Sequence, residues 1–260
     1  MCAMGQIICV ASQKGGTGKT TSSVNLAASL ALLEKDTLLV DCDPLGNATT
    51  GIGVDKGRLP FDLFDAMTGR VAPRDILVDC GLDRLQVMPA RVGLHHVKHS
   101  LGGVQRPELI LGKVIREVAK DYTYTIIDSP PSFGFLTISA LAASDFLLLP
   151  LQHQLFSFEG LSQLLLMIRG IQKTLRPELK IAGIFYTMCR TKSNAGLPPD
   201  SNGLDFLRRK ILKTVIPWDD ALSSAADQTR PVALLDVLSK GSLAYMQLAR
   251  ELMDVLAKGH

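Results

Sequence analysis

Cysteine is scarce and carries no pattern. Five are scattered through 260 residues (Cys2, Cys9, Cys42, Cys80 and Cys189), an odd number with no CxxC spacing. That excludes a disulfide framework and suggests no thiolate metal site; a reducing compartment fits. Long apolar runs are missing too. The most apolar windows, Phe146 to Leu151 and Leu164 to Ile168, fall far short of the roughly 18–20 residues that span a bilayer. The opening residues MCAMGQIICVAS lack a basic n-region and soon meet a glycine-rich motif, so export is not expected. Charge of one sign is not in excess: 28 Lys and Arg face 25 Asp and Glu, a net +3. The surface as a whole is no polyanion trap, and any nucleic-acid face must be local. The expectation is a soluble, cytoplasmic protein without stable membrane insertion.

What remains is the composition of an ordinary folded chain: 47% hydrophobic and 20% charged, with 22 glycines and 13 prolines. No internal repeat, low-complexity tract or linker divides it, so one domain over residues 1–260 is expected. Short β-branched or Leu-rich runs alternate with stretches of helical period, the rhythm of a parallel sheet covered on both faces. Strands are predicted at Gln6–Ala11, Thr37–Val40, Leu85–Met88, Thr123–Ile127, Phe146–Leu149, Ile181–Tyr186 and Lys213–Ile216. Helices are predicted at Lys19–Leu33, Leu109–Lys120, Gly134–Ala143, Phe158–Leu175, Leu204–Ile211 and Leu243–Ala257. Gly46 to Arg74 and Arg190 to Gly203 are rich in turn residues and read as surface excursions.

The first strand runs into Ser12-Gln13-Lys14-Gly15-Gly16-Thr17-Gly18-Lys19-Thr20-Thr21 and then a helix. Strand, glycine loop and helix N-terminus in that order make an anion nest: Gly15, Gly16 and Gly18 permit positive φ and close approach, and the helix dipole adds to the field of the inward amides. Lys19 can reach the β- and γ-phosphates, and the Thr20 hydroxyl is placed to ligate Mg²⁺. The phosphate-loop pattern lacks only its first glycine, where Gln13 stands. A dinucleotide GxGxxG reading fails because Thr21 occupies the third glycine position. Asp41-Cys42-Asp43-Pro44 ends the second strand, and alternation would aim Asp41 and Asp43 alike, towards the carboxyl end of the sheet. Asp128 ends another strand, where a carboxylate suits Mg²⁺ or a water-orienting role, with a helix or turn cap as the plain alternative.

With Lys14 at its start, the loop resembles the KGGxGKT motif of the deviant Walker A ATPases of the ParA/MinD type. The similarity continues through DCDPLGNAT (Asp41–Thr49), YTYTIIDSPPS (Tyr122–Ser132), PLQHQLFSFEGLSQL (Pro150–Leu164), Gly183–Arg190, VIPWDDALSSAADQTRPV (Val215–Val232) and SKGSLAYMQLARELM, roughly residues 6 to 257. The resemblance implies a three-layer P-loop NTPase fold of the ParA/Soj kind, binding ATP or ADP with Mg²⁺. It implies an ATP-sandwich homodimer, slow hydrolysis stimulated by a ParB-like or adaptor protein, and nonspecific DNA binding that serves chromosome or plasmid partitioning on the nucleoid. Lys14 would cross to the partner's phosphates, Asp43 would activate water, and Asp128 would be the Walker B equivalent; Thr20, Asp43 and Asp128 form the expected metal set. Ile216, Pro217 and Met188 would flank the purine, and residues Gly15 to Thr21 the phosphates. A MinD-like positioner acting on a non-DNA surface or cargo is the alternative.

Four departures stand out: Leu45 for the usual Gln, Gln154 for Glu, Trp218 for the arginine of IPR, and Asp219-Asp220 for a neutral or basic pair. Arg208, Arg209 and Lys213, with Lys210, form the densest cationic cluster, and Arg190 and Lys192 precede it. These five positions, Lys210 aside, are the expected DNA contacts, with a solvated surface as the alternative. His95, His96 and His99 lack an acidic or Cys partner at metal spacing.

Overall fold

In the computed structural model, residues 5–12, 14–132, 134–152, 158–190 and 205–258 are described. The chain runs β1 (Gln6–Val10), α1 (Lys19–Leu32), β2 (Thr37–Asp41), α2 (Asn47–Gly51), α3 (Leu63–Met67), β3 (Val78–Asp79), β4 (Leu85–Met88), α4 (Val97–Ser100), α5 (Ile110–Ala119) and β5 (Tyr124–Asp128). It continues through α6 (Phe135–Ala143), β6 (Phe146–Gln152), α7 (Phe158–Thr174), β7 (Lys180–Cys189), α8 (Asp205–Arg208), β8 (Ile211–Pro217), α9 (Asp220–Asp227) and α10 (Lys240–Lys258). The eight strands form one sheet in the order β3-β4-β2-β5-β1-β6-β7-β8. Every pairing is parallel except β3 with β4.

Period-two alternation divides β1 between two cores. Ile7 and Cys9 enter one apolar layer with Leu111 and Ile115 of α5 and Leu164 and Ile168 of α7. Ile8 and Val10 enter the other with Leu26 and Leu30 of α1 and Leu248 and Leu252 of α10. A strand buried on both faces needs apolar residues at every position, which is why QIICV has no polar alternation. The result is the expected three-layer α/β sandwich.

All seven predicted strands are present. The eighth, β3, is two residues long and antiparallel at the edge, too short to carry a periodic signal. The helix expected over Leu204–Ile211 is corrected: among the described residues it spans only Asp205–Arg208, and Ile211 already belongs to β8. Alternation wins there, since Leu212, Thr214 and Ile216 are buried while Lys213 is exposed, and the Ile184 amide of β7 donates to the Lys210 carbonyl at 2.8 Å. The Gly46–Arg74 stretch, expected to be irregular, contains α2 and α3, the latter started by an Asp62–Asp65 capping box. Strand β8 lies at the sheet edge, and the Glu251 carboxylate of α10 covers part of it, accepting from the backbone N–H groups of Lys213 at 2.7 Å and Thr214 at 2.8 Å. No described helix is long and apolar enough to cross a membrane.

Because seven of the strands share one direction, the connections after β1, β2, β5, β7 and β8 emerge at one end of the sheet, the end where open α/β sheets bind ligands.

Candidate functional site

The loop after β1 is held from within. Ser12 Oγ and Thr17 Oγ1 lie 2.6 Å apart, and Thr187 Oγ1 of β7 donates to the Thr17 carbonyl at 2.9 Å. Lys19, only 6% exposed, curls back over the loop, its Nζ donating to the Lys14 carbonyl at 3.1 Å and Ser12 Oγ at 3.3 Å. Burial draws its pKa below the ordinary lysine range, while the Asp128 and Asp43 carboxylates act in the opposite direction. Of the three loop glycines, Gly16 and Gly18 take positive φ (77° and 81°) and Gly15 does not, so the left-handed requirement falls on two positions. Gly18 is the N-cap of α1. No side chain caps that helix and no acid lies in its first turn, so its amino end keeps its positive potential and presents backbone donors to an anion. Lys14 stands at the exposed lip.

Below the helix end sits a fully buried carboxylate. Asp128 accepts from Thr20 Oγ1 at 2.8 Å and from Ser23 Oγ at 2.8 Å. Burial and then the nearby Asp41 push its pKa up to about 7, against the lowering effect of those two hydroxyls. Asp41 is raised to about 6, again chiefly by burial. Two buried carboxyls thus lie on paired strand positions, and the oxygens of the Thr20 hydroxyl and Asp128, next to a bare helix end, fit a hard divalent ion carried by a polyphosphate.

The second carboxylate station differs from its sequence reading. β2 ends at Asp41, so strand alternation does not extend to Asp43. Asp41 turns to the following segment, accepting from the Asp43 amide at 3.1 Å and from the Thr49 amide and hydroxyl at 2.7 Å each. It organises the turn into α2. Asp43, 6% exposed, accepts from the Leu45 amide at 2.9 Å. Gly46 supplies the left-handed residue of this turn (φ 64°), where a Cβ would meet the Ala90 carbonyl at 2.4 Å.

On the other side of the loop, Met188, Ile216 and Pro217 line a cavity of about 230 Å³ together with Gly18 and Thr21. The three residues expected around the base are therefore together. Trp218 also lines it, although the sequence marks it only as a departure from the family pattern. Ser23 is a further site residue that the sequence reading misses; its position three residues after Thr20 on a helix is the available signal.

The expected basic contacts form two groups. Arg190 follows β7 at the ligand end, its guanidinium 4.9 Å from the Trp218 ring centroid. Arg208, Arg209 and Lys213 are exposed around the start of β8, which pairs near Ile184, whereas Pro217 pairs with Cys189. About five residues at ~3.3 Å each separate the groups along the strands. Lys192 and Gln154 lie outside the described residues. His95, His96 and His99 are exposed, and among the described residues no His, Cys, Asp and Glu group could hold a metal by itself.

Comparison with known proteins gives this geometry a lineage. Residues 5–181 match the family model described as an AAA domain. The chain is 41% identical over 248 residues to the sporulation initiation inhibitor protein Soj of Bacillus subtilis, covering 95% of this chain and 98% of that one. It is 39% identical to the chromosome partitioning protein ParA of Myxococcus xanthus, covering 96% and 88%. Among solved structures, cobyrinic acid a,c-diamide synthase of Mycobacterium smegmatis with bound ATP analogue and magnesium superimposes with a TM-score of 0.82 at 26% identity, covering 98% and 97%. MinD of Pyrococcus horikoshii complexed with Mg-ADP gives 0.79 at 25% identity, covering 98% of each chain. With Soj and ParA relatives 37–41% identical over 95–96% of its length, the chain belongs to the ParA/Soj family of P-loop ATPases, within the ParA/MinD superfamily.

Proposed function

We propose that this chain is a partitioning ATPase that binds MgATP, pairs with a second copy across the nucleotide, holds DNA nonspecifically in that state, and lets go when a ParB-like partner speeds an otherwise slow hydrolysis. The observation that carries the reading is the uncapped amino end of α1 set between Lys19 and the Thr20–Asp128–Ser23 cluster.

Bound Mg²⁺ and ATP supply the transferable phosphoryl group and neutralise charge as it moves. The chain does the rest. The amides of residues 15 to 21 grip the phosphates, and Lys19 exchanges its internal acceptors, Ser12 Oγ and the Lys14 carbonyl, for phosphate oxygens. Thr20 would hold the ion, with Asp128, which accepts from the Thr20 hydroxyl, and Asp43 as the carboxylates of the set. Asp43, beyond the strand end and fixed through the Leu45 amide, orients the attacking water. Lys14 at the exposed lip would reach the phosphates of the opposite subunit. ATP-dependent dimerisation and phosphate release, measured on wild type, Lys14→Ala, Lys19→Ala and Asp43→Ala, test this; unchanged dimerisation and turnover in all three variants would refute it.

A second reading keeps the ATPase and replaces DNA by another surface or cargo. The separation of Arg190 from Arg208, Arg209 and Lys213, with Trp218 between β8 and the acidic Asp219 and Asp220, favours it. Co-sedimentation with DNA in the presence of ATP, at low and moderate salt, decides between them: retention that falls steeply with salt supports the DNA step.

A further inference from the structure

Asp43 lies in a turn whose shape is set largely from within. The Leu45 amide donates to Asp43 Oδ1 at 2.9 Å and the Gly46 amide to the Asp43 carbonyl at 2.8 Å. Burial does little to fix the tip of this turn, since the Leu45 side chain is 59% exposed and Gly46 has none. A carboxylate whose direction depends on the Leu45 amide is no steadier than Leu45.

Lys56 holds the turn from outside. Its Nζ donates to the Leu45 carbonyl at 2.7 Å, from eleven residues further along the chain. The residue whose amide meets Asp43 therefore has its carbonyl fixed by a charged donor. The lysine stem lies against the turn as well: a Cβ at Gly46 would stand 2.7 Å from Lys56 Cδ, so the left-handed glycine makes room for the lysine. Lys56 is itself presented by a braced segment. It opens a short 3-10 turn, Lys56–Arg58, capped by Asp55, whose Oδ1 accepts from the Gly57 amide at 2.9 Å and whose carbonyl accepts from the Arg58 amide at 3.1 Å.

We propose that Lys56 is a positioning residue for hydrolysis: by holding the Leu45 carbonyl it fixes the turn that aims Asp43 at the attacking water. The inference rests on the water-orienting role proposed above for Asp43 and deepens it. Lys56 reaches the reaction only through Leu45 and Asp43, so it acts on turnover and leaves nucleotide affinity alone.

Single-turnover phosphate release from γ-labelled MgATP, alongside MgADP affinity by calorimetry, tests this on the full chain. Lys56→Met keeps the stem and removes the donor. It is expected to lower the rate about tenfold, within the range that a small misplacement of a reacting group produces, and to hold MgADP affinity within about twofold. Retained affinity also shows that the variant folds. Lys56→Arg, which can still donate to the carbonyl, returns the rate to within about threefold of wild type. In an Asp43→Ala background Lys56→Met costs less than about twofold more, because the residue it steers is gone. The inference is overturned if Lys56→Met hydrolyses at the wild-type rate, if Lys56→Arg is no better than Lys56→Met, if MgADP affinity falls as far as the rate, or if the cost of Lys56→Met persists in full without Asp43. If Asp43→Ala alone keeps wild-type turnover, the water-orienting role itself falls, and this inference with it.

Discussion

The two sides of the phosphate loop are built on different terms. Towards β2 and β5, the side chains are tied together by hydrogen bonds: Lys19 to the loop, Asp128 to Thr20 and Ser23, and behind them Asp41 to Thr49. Towards β7 and β8, the wall is apolar, partly open, and ends in a half-exposed tryptophan under an arginine. Phosphoryl chemistry tolerates little freedom, because charge must be met by donors and cations already in place. Holding a ring asks only for a flat apolar surface, which many side chains provide. The first side keeps the pattern residues Lys19, Thr20, Asp43 and Asp128, with Leu45 beside Asp43 as its departure, and on the second side Trp218 departs.

That contrast breaks if the buried side is dispensable. Lys19→Ala should give the largest effect, lowering the rate of phosphate release at least about 100-fold, since the site loses a cation directed at the transferring group. Asp43→Ala should follow, with turnover reduced about 100-fold or somewhat less but nucleotide affinity kept within a few-fold, because the role proposed for the carboxylate is to orient water. Parallel calorimetry and phosphate release separate these outcomes. An Asp43→Ala protein that hydrolyses normally would remove the water-orienting role.

Much of this architecture is legible in the amino-acid sequence. β1 can be recognised because Ile7 to Val10 are apolar without interruption, and the loop because KGGTGKT follows a strand and opens a helix. What escapes has physical reasons. β3 is two residues long, and α9 buries only Ala225, its start fixed by the Asp219 cap and not by periodicity. Asp41 and Asp43 share a spacing but not an environment, since the strand stops between them and Thr49, eight residues on, turns Asp41 inward. Trp218 is visible as a departure, yet its place in the cavity wall depends on β7 and β8 ending side by side, a relation between residues about thirty positions apart.

The buried side can also be sharpened through pH. Asp128 has its pKa raised to about 7 in the fold, from 3.8 in the open chain, chiefly by burial. Between those values the folded state holds the proton more often than the unfolded one, so stability conferred by the neutral carboxyl is present at low pH and fades as pH rises through about 7. Nucleotide-free protein should therefore lose roughly 5 °C of melting temperature between pH 5 and pH 8, on the usual scale of a few degrees per kcal/mol at this size. Asp128→Asn, which cannot titrate, should remove most of that slope and leave the smaller share that Asp41, raised to about 6, contributes. Added magnesium with ADP should restore the wild type most at the alkaline end. A wild-type slope that survives in Asp128→Asn would assign the titration elsewhere.

The open side offers the smallest and most local change. Glu251 reaches from α10 to the β8 edge and accepts from the Lys213 amide, the Thr214 amide and the Thr214 hydroxyl at 2.6 to 2.8 Å. An edge strand otherwise presents its amides to solvent or to another chain. Glu251→Gln retains the shape and one acceptor oxygen but gives up the charge and the second acceptor, so the expected loss is about 1 kcal/mol, seen as a shift in the denaturant midpoint with an unchanged slope. Nucleotide affinity should stay the same, because β8 also reaches the cavity through Ile216 and Pro217, which are held by pairing with β7 and by the apolar layer beneath. If Glu251→Gln instead weakens MgADP severalfold, the edge and the ring wall act as one unit, and the independence drawn between support and site on this side of the loop is wrong.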